Sequence, residues 1–208
     1  MFMPRPILFP LLLSAILSLL PSCARPPRPS GTGGVGTGGS LPHSPRPSAA
    51  EDIGTSGSLE QAKAYLSAGN YMKALEIYAA AVDRHPKDED LLDIYAEALE
   101  SIKEEADTAY GQTDYAKAGK LYATLSKSGF GERLPQGELS FDSEYLTTRT
   151  GACSKLLFER GIIKYRAGDL EQAIAIWKRI LVFNPADKEA KKAIDRATAQ
   201  LQNLKKMQ

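Results

Sequence analysis

Cysteine and histidine are scarce in this chain of 208 residues, which contains two of each. Cys23, Cys153, His43 and His85 lie far apart in the sequence, so local spacing cannot assemble a zinc site from them. An excess of basic charge is also absent, because Lys and Arg total 26 and Asp and Glu total 25, for a net charge of +1. Nucleic-acid binding requires an excess of Lys and Arg to neutralise phosphates, so this balance argues against a nucleic-acid partner.

Proline and the signals of β-strands are missing from most of the chain. Of the 13 prolines, only Pro86, Pro135 and Pro185 lie beyond residue 47. No Asn-Gly or Asp-Gly turn joins alternating apolar residues, and after residue 55 the apolar residues recur with a helical period instead. The sequence therefore predicts three parts: a leader at 1–22, a linker at 23–54 and an all-α domain at 55–208.

The leader also lacks a long apolar segment. Its apolar run from Ile7 to Leu20 has 14 residues, and a helix that spans a bilayer needs roughly 20. Arg5 precedes the run and no acidic residue occurs in it. A basic start followed by a short apolar segment is typical of a secretory signal.

The residues at the end of the leader are more specific. Leu20, Pro21, Ser22 and Cys23 resemble the lipobox of bacterial lipoproteins, in which a cysteine follows a small residue. The resemblance implies that Cys23 is linked to diacylglycerol and becomes the acylated N-terminus, and Ala24 after it favours the outer membrane. The alternative is an ordinary secretory signal with an incidental cysteine. If Cys23 carries lipid, Cys153 has no disulfide partner and is predicted to lie in the core.

The linker has the composition of a disordered tether. Twelve of residues 24–50 are Pro or Gly, and such a segment buries too little apolar surface to fold. Residues 31–36 match the dinucleotide-binding pattern G-x-G-x-x-G, but that pattern functions only between a strand and a helix. We therefore expect no cofactor here and interpret residues 23–54 as a flexible connection between a lipid anchor and the domain.

The domain contains three similar corners, at residues 69–71, 113–115 and 168–170. Each is followed by an Ala and, four residues later, by an aromatic residue; these pairs are Ala74 with Tyr78, Ala118 with Tyr122, and Ala173 with Trp177. The pattern resembles the tetratricopeptide repeat (TPR) family, and Pro86 and Pro185 end units one (55–88) and three (154–187) as in that family. The resemblance implies a solenoid of about three α-α hairpins.

The spacing of the corners exceeds the family's repeat of about 34 residues, which predicts elongated first helices in the later units. Apolar residues from Leu92 to Ala109 recur at alternating spacings of three and four, and this predicts one helix over residues 90–110. Residues 128–140 are predicted to form a loop, and a further long helix is expected to start near Ser143. Ser58 and Asp169 are predicted to cap helix starts.

Motifs of catalysis are not found in the sequence: it has no nucleophile elbow, no phosphate-binding loop and no paired-His helix. Carboxylates such as Glu104 and Glu105 are expected on a solvated helix face, so the chain is not expected to be an enzyme. TPR proteins bind partners in a groove lined by the first helix of each unit. Carried over position by position, the groove candidates here are Lys63, Leu66 and Ser67 in unit one, and Lys155, Phe158, Ile162, Tyr165 and Arg166 in unit three.

These features together predict a lipid-anchored TPR adaptor or scaffold at the bacterial outer membrane, facing the periplasm, with other envelope proteins or peptides as partners. The alternative for Phe158 and Ile162 is that they pack between repeats and do not contact a partner. The alternative functions are a passive structural spacer and an envelope enzyme.

Overall fold

The computed structural model describes residues 49–207, and side chains from Ser56 onward. This part of the chain is all-helical, with seven α-helices and no strand. The helices are α1 (Ala49–Ser67), α2 (Tyr71–Arg84), α3 (Glu89–Gly111), α4 (Tyr115–Lys127), α5 (Ser143–Arg166), α6 (Leu170–Phe183) and α7 (Lys188–Lys206). Each helix packs against the next one along the chain, and α4 also contacts α6.

The three predicted corners all turn through a residue in the left-handed region. Gly69, Thr113 and Gly168 have φ values of 75°, 63° and 81°, which reverse the chain at the end of each helix. Five of the helices then begin at an aspartate whose side chain accepts a hydrogen bond from the first turn: Asp88, Asp114, Asp142, Asp169 and Asp187. Such caps satisfy backbone N–H groups that have no partner within the helix. The cap predicted at Asp169 is confirmed.

The small and aromatic residues that follow the corners form the centre of the core. Ala74, Ala118 and Ala173 are fully buried. The aromatic residues Tyr78, Tyr122 and Trp177 are almost fully buried as well. The long helix predicted for residues 90–110 is confirmed as α3, which places its apolar stripe against the neighbouring helices. The buried members of that stripe are Tyr95, Leu99, Ile102, Ala106 and Ala109.

The loop predicted for residues 128–140 is confirmed, and it holds one short 3-10 helix at Phe130–Glu132. Arg133 pairs with Asp83 of α2 through two hydrogen bonds of 2.8 and 2.9 Å. Ser140 donates to Glu100 of α3 from its backbone and its hydroxyl. Apolar side chains of the loop are buried as well, so the loop is packed onto the first two hairpins.

The contact between α5 and α6 depends on a glycine. Gly161 of α5 lies directly beneath the indole ring of Trp177, and a Cβ atom at residue 161 would overlap that ring. The indole N–H donates a hydrogen bond of 3.1 Å to the backbone oxygen of Phe158. Leu146, Cys153 and Leu157 of α5 are also buried, so the prediction that Cys153 lies in the core is confirmed.

The first helix begins before the first predicted unit. Helix α1 begins at Ala49, within the range 23–54 that the sequence assigns to the tether. Ser58 is consequently an interior residue of α1, so its predicted role as a helix cap is wrong. The segment 49–54 carries two alanines and an acidic pair, which are compatible with a first helical turn.

We expect Gly161→Ala to destabilise the protein by about 1–3 kcal/mol, because the new methyl group displaces Trp177. Gly151→Ala is the matched control on the same helix, since nothing lies within 4 Å of a Cβ at that exposed position. The control should be neutral or stabilising by up to about 1 kcal/mol. Urea unfolding followed by circular dichroism measures both; equal midpoints for the two variants would contradict the assigned contact.

Candidate binding site between α3 and α5

An open cleft of about 540 Å³ lies where the C-terminal half of α3 faces the N-terminal half of α5. Helix α3 contributes one aromatic ring, and α5 with its capping residue contributes the rest. The lining residues are Tyr110, Asp142, Glu144, Tyr145, Thr148, Arg149 and Ala152. A tyrosine from each helix and an arginine between them give the cleft both apolar surface and hydrogen-bond donors.

Arg149 is held between two aromatic rings. Its Cζ atom lies 4.8 Å from the ring centroid of Tyr110 and 5.2 Å from that of Tyr145. Stacking of this kind stabilises the cation over the faces of both rings. Within residues 56–207 no carboxylate lies within ion-pair distance of Arg149. The guanidinium is therefore oriented without being neutralised, and its edge can donate to an external acceptor.

The carboxylate of Asp107 positions one of these rings from behind. It accepts hydrogen bonds of 2.6 Å from the hydroxyl groups of Tyr122 in α4 and Tyr145 in α5. It also forms an ion pair of 3.2 Å with Lys103, one turn earlier in α3. The two tyrosine rings meet edge to face, with centroids 6.2 Å apart. One carboxylate thus connects three helices behind the ring of Tyr145.

These contacts shift the pKa values of the groups involved. Burial raises the pKa of Asp107, but the hydrogen bonds from Tyr122 and Tyr145 and the charge of Lys103 outweigh it, so the pKa lies below its usual value. Burial, followed by the hydrogen bond to Asp107, raises the pKa of Tyr122 and of Tyr145. Asp107 is accordingly ionised and both phenols are protonated at neutral pH.

The row of tyrosines and cations continues toward the second corner. The rings of Tyr110 and Tyr115 pack edge to face at 5.3 Å, and Arg160 of α5 lies over Tyr115 at 4.6 Å. Arg160 also donates to the backbone oxygen of Thr113 at 3.0 Å. Thr113 is a β-branched residue with positive φ, a strained conformation, and this bond ties the strained corner to α5.

The groove residues predicted in unit three lie further along α5, outside the cleft. Phe158, Ile162 and Tyr165 are half-buried, and the rings of Phe158 and Tyr165 lie 5.8 and 5.9 Å from that of Trp177. The hydroxyl of Tyr165 donates to Gln200 of α7 at 2.8 Å. These three side chains therefore pack toward α6 and α7 and keep only part of their surface free.

The two polar candidates at the ends of this strip are more accessible. Lys155 and Arg166 are exposed on α5. Lys155 also lines a shallow cavity of about 480 Å³ beside Phe158, next to the corner between α6 and α7. All five predicted groove residues of unit three thus lie on one helix, but the three apolar or aromatic ones pack against neighbouring helices and only the two basic ones are exposed.

The candidates in unit one interact locally within α1. Lys63 is exposed and forms an ion pair of 2.9 Å with Glu60. The hydroxyl of Ser67 donates to the backbone oxygen of Lys63, and Leu66 is half-buried against the core. None of these three residues lines the cleft between α3 and α5.

A second polar cluster corrects an expectation about α3. Glu105, predicted on a solvated face, is half-buried and accepts a hydrogen bond from the hydroxyl of Tyr71 in α2. It also pairs with Lys117 of α4 at 2.8 Å. The bonds from Lys117 and Tyr71 lower the pKa of Glu105, while burial and the bond to Glu105 raise the pKa of Tyr71 to about 12. Glu104 is exposed, as expected.

Cys23, the predicted lipid attachment site, lies outside the described residues. Cys153 is buried and has no disulfide partner in the described part of the chain, and burial raises the pKa of its thiol to about 11. Among residues 49–207, no helix is long and apolar enough to cross a membrane. The same residues contain no group of three or more His, Cys, Asp or Glu side chains that could hold a metal ion.

Residues 55–141 match a family described as a domain of unknown function (DUF8517). The matched segment begins in α1 and ends with the loop that precedes α5, so it contains Asp107 and Tyr110 but neither Tyr145 nor Arg149. No curated protein matches the chain. The cleft therefore forms where the matched segment meets the third hairpin.

The sequence analysis did not predict the cleft. The pattern that could have indicated it is the spacing of Tyr145 and Arg149, which are four residues apart and share one face of a helix. A similar spacing joins Lys103, Asp107 and Tyr110 on α3. Each pattern is ordinary on its own, and only the packing of the two helices places Arg149 against Tyr110.

We expect Asp107→Asn to lower the free energy of unfolding at pH 6 by about 1–3 kcal/mol, because it removes the charge from two hydrogen bonds and an ion pair. The folded-state pKa of Asp107 is below its unfolded value, so its contribution is present above about pH 4 and is lost as the pH falls through the folded pKa. The difference between wild type and variant should therefore shrink at low pH.

Urea unfolding at several pH values between 6 and 2.5 measures this difference. The exposed Glu104→Gln on the same helix is the control, and its curve should run parallel to that of the wild type. A deficit of Asp107→Asn that stays constant across this range would show that the ionised carboxylate is not what stabilises the fold.

Proposed function

We propose that this protein is a TPR-like adaptor of the bacterial cell envelope, anchored by lipid at Cys23, that binds a segment of a partner protein. Three consecutive helical hairpins, each turning through a left-handed residue, support the comparison with TPR solenoids. So do the buried Ala and aromatic residue that follow each corner. In solenoids of this kind each hairpin packs only on its neighbours, which agrees with the contacts between successive helices.

The stacking of Arg149 in the cleft is the observation that carries the binding function. Tyrosine and arginine are the residue types that most often dominate the energy of protein interfaces. Here both rings and the guanidinium are already fixed by internal contacts, so a ligand needs to immobilise few side chains. A partner segment that places an acceptor on Arg149 and an apolar side chain against Tyr110 fits this arrangement.

The ionisable groups around the cleft favour recognition over catalysis. Asp107 is already engaged with two phenols and Lys103, and its lowered pKa makes it a poor proton acceptor. The phenols of Tyr122 and Tyr145 have raised pKa values and donate inward. The hydrogen bonds to Asp107 make these groups poor proton donors and acceptors, but they also hold the tyrosine rings in place, which suits a binding surface.

The place of action is inferred from the leader. The short apolar run and the residues before Cys23 support acylation of that cysteine, and Ala24 supports the outer membrane. Several acyl chains at one residue anchor a protein stably, whereas one chain is marginal. The tether would then let the helical domain reach envelope partners on the periplasmic side.

Acylation is tested by metabolic labelling with an alkyne-bearing fatty acid. The wild-type protein should take up the label and sediment with membranes, and Cys23→Ser should lose the label. Cys153→Ala removes the other cysteine of the chain and should keep the label in full. Equal labelling of the Cys23→Ser protein would refute the lipid anchor.

The binding cleft is tested with a photo-crosslinking residue at Thr148, which is exposed and lines the cleft. We expect a discrete crosslinked partner in cells, and about a tenfold loss of capture in Arg149→Met, which keeps an apolar stem between the rings but removes the donors. Arg179→Ala on the exposed face of α6 is the control and should capture normally.

The circular dichroism spectrum and unfolding midpoint of Arg149→Met show whether the fold is intact. Full capture by a folded Arg149→Met protein would place the interface elsewhere. The absence of any crosslinked partner at Thr148 would favour a passive spacer.

A further inference from the structure

A second recess lies away from the cleft, between the start of α2 and the middle of α4. Its volume is about 470 Å³. The residues that line it are Gly69, Asn70, Tyr71, Met72, Lys73, Lys117, Lys120, Leu121 and Thr124. Three of them are lysines and none carries a carboxylate. All belong to residues 55–141, so the recess is complete within the segment that matches the domain of unknown function.

The charge of this recess is only partly balanced by the protein. Lys117 is paired with Glu105 at 2.8 Å, and Glu105 also accepts the hydroxyl of Tyr71. Lys73 lies over the ring of Tyr65 at 5.5 Å, and neither Lys73 nor Lys120 has an ion-pair partner among residues 56–207. Two lysines therefore remain without a carboxylate at the rim.

The recess also presents apolar surface. Met72 is half-buried and Leu121 is buried at its floor, and Thr124 is half-buried beside them. A concave apolar floor with basic groups at the rim fits an apolar side chain flanked by carboxylates. Anionic lipid headgroups could pair with the same lysines, but the apolar floor between the lysines favours a protein segment that carries an apolar side chain beside its carboxylates.

We propose that this lysine recess docks an acidic, amphipathic segment of a partner protein. The acidic side chains pair with Lys73 and Lys120, and an apolar side chain occupies the floor near Leu121. This surface is formed by the second helices of the first two hairpins, and it does not depend on the cleft between α3 and α5. The proposal therefore stands or falls separately from the proposed function of that cleft.

The test uses the full-length chain in a non-ionic detergent and a fluorescein-labelled peptide of alternating Leu and Glu, with binding measured by fluorescence anisotropy. Two matched peptides carry Gln or Lys in place of every Glu. We expect the Glu peptide to bind more tightly than the Gln peptide, and the Lys peptide not to bind. Raising the salt from 0.05 to 0.5 M should weaken the Glu peptide, because exposed ion pairs are screened.

The double variant Lys73→Gln/Lys120→Gln should bind the Glu peptide about three- to tenfold more weakly, as expected for two partly exposed ion pairs. Lys178→Gln/Lys192→Gln removes the same charge from exposed positions of α6 and α7 and should bind normally. Arg149→Met removes any binding of the peptide at the cleft, and the loss caused by Lys73→Gln/Lys120→Gln should be the same in its presence, which separates the two surfaces. Unfolding midpoints establish that each variant is folded.

Three outcomes would overturn the proposal. One is equal affinity for the Glu and Gln peptides, since charge would then play no part. Another is wild-type affinity in the folded Lys73→Gln/Lys120→Gln protein. The third is binding to phosphatidylglycerol vesicles that this variant loses, with no binding of the Glu peptide, which would assign the lysines to anionic lipid instead.

Discussion

The carboxylate of Asp107 is the group on which the arrangement of the second and third hairpins depends. It is half-buried on α3 and accepts hydrogen bonds from both Tyr122 of α4 and Tyr145 of α5. A carboxylate in such a position is stable only when its acceptor sites are satisfied, so the two phenols and Lys103 are required together. Their bonds fix the ring of Tyr145, and that ring with Tyr110 fixes Arg149. The geometry of the candidate cleft thus follows from the carboxylate of Asp107 on α3.

Close approach of helices provides the rest of the framework. A fully buried alanine follows each corner, where its small side chain lets neighbouring helices approach, and Gly161 allows Trp177 to lie against α5. The loop before α5 is fixed by Arg133 and Ser140, so the third hairpin begins at a defined place on the first two. This matters for the cleft because α5 provides most of its lining. Polar contacts and small residues together determine where α5 lies.

Local patterns predicted the helices, the corners and the loop, because each depends on residues close together in the chain. The 3–4 spacing of apolar residues located α3 almost to its ends, and Gly or Asp at the corners marked the turns. The start of α1 was misplaced, since its first turn lies in a segment with no apolar period. Glu105 was predicted on a solvated face because its partners, Tyr71 and Lys117, are supplied by other helices. Tyr145 lies 38 residues from Asp107 in the chain, so no local pattern predicts that hydrogen bond.

Phe158 and Tyr165 were predicted to line a groove, but residues distant in the chain cover part of their surface. Trp177 packs against both rings, and Gln200 accepts a hydrogen bond from Tyr165.

If the carboxylate of Asp107 holds the ring of Tyr145 in place, the two residues are energetically coupled across α3 and α5. A double-mutant cycle on unfolding free energy with Asp107→Asn and Tyr145→Phe measures that coupling directly, because it removes the contributions that each residue makes elsewhere. We expect a coupling of about 1.5–3 kcal/mol at pH 6, the range for a hydrogen bond to a charged group. Strictly additive effects of the two substitutions would contradict it, since the carboxylate would then not hold the ring on which Arg149 stacks.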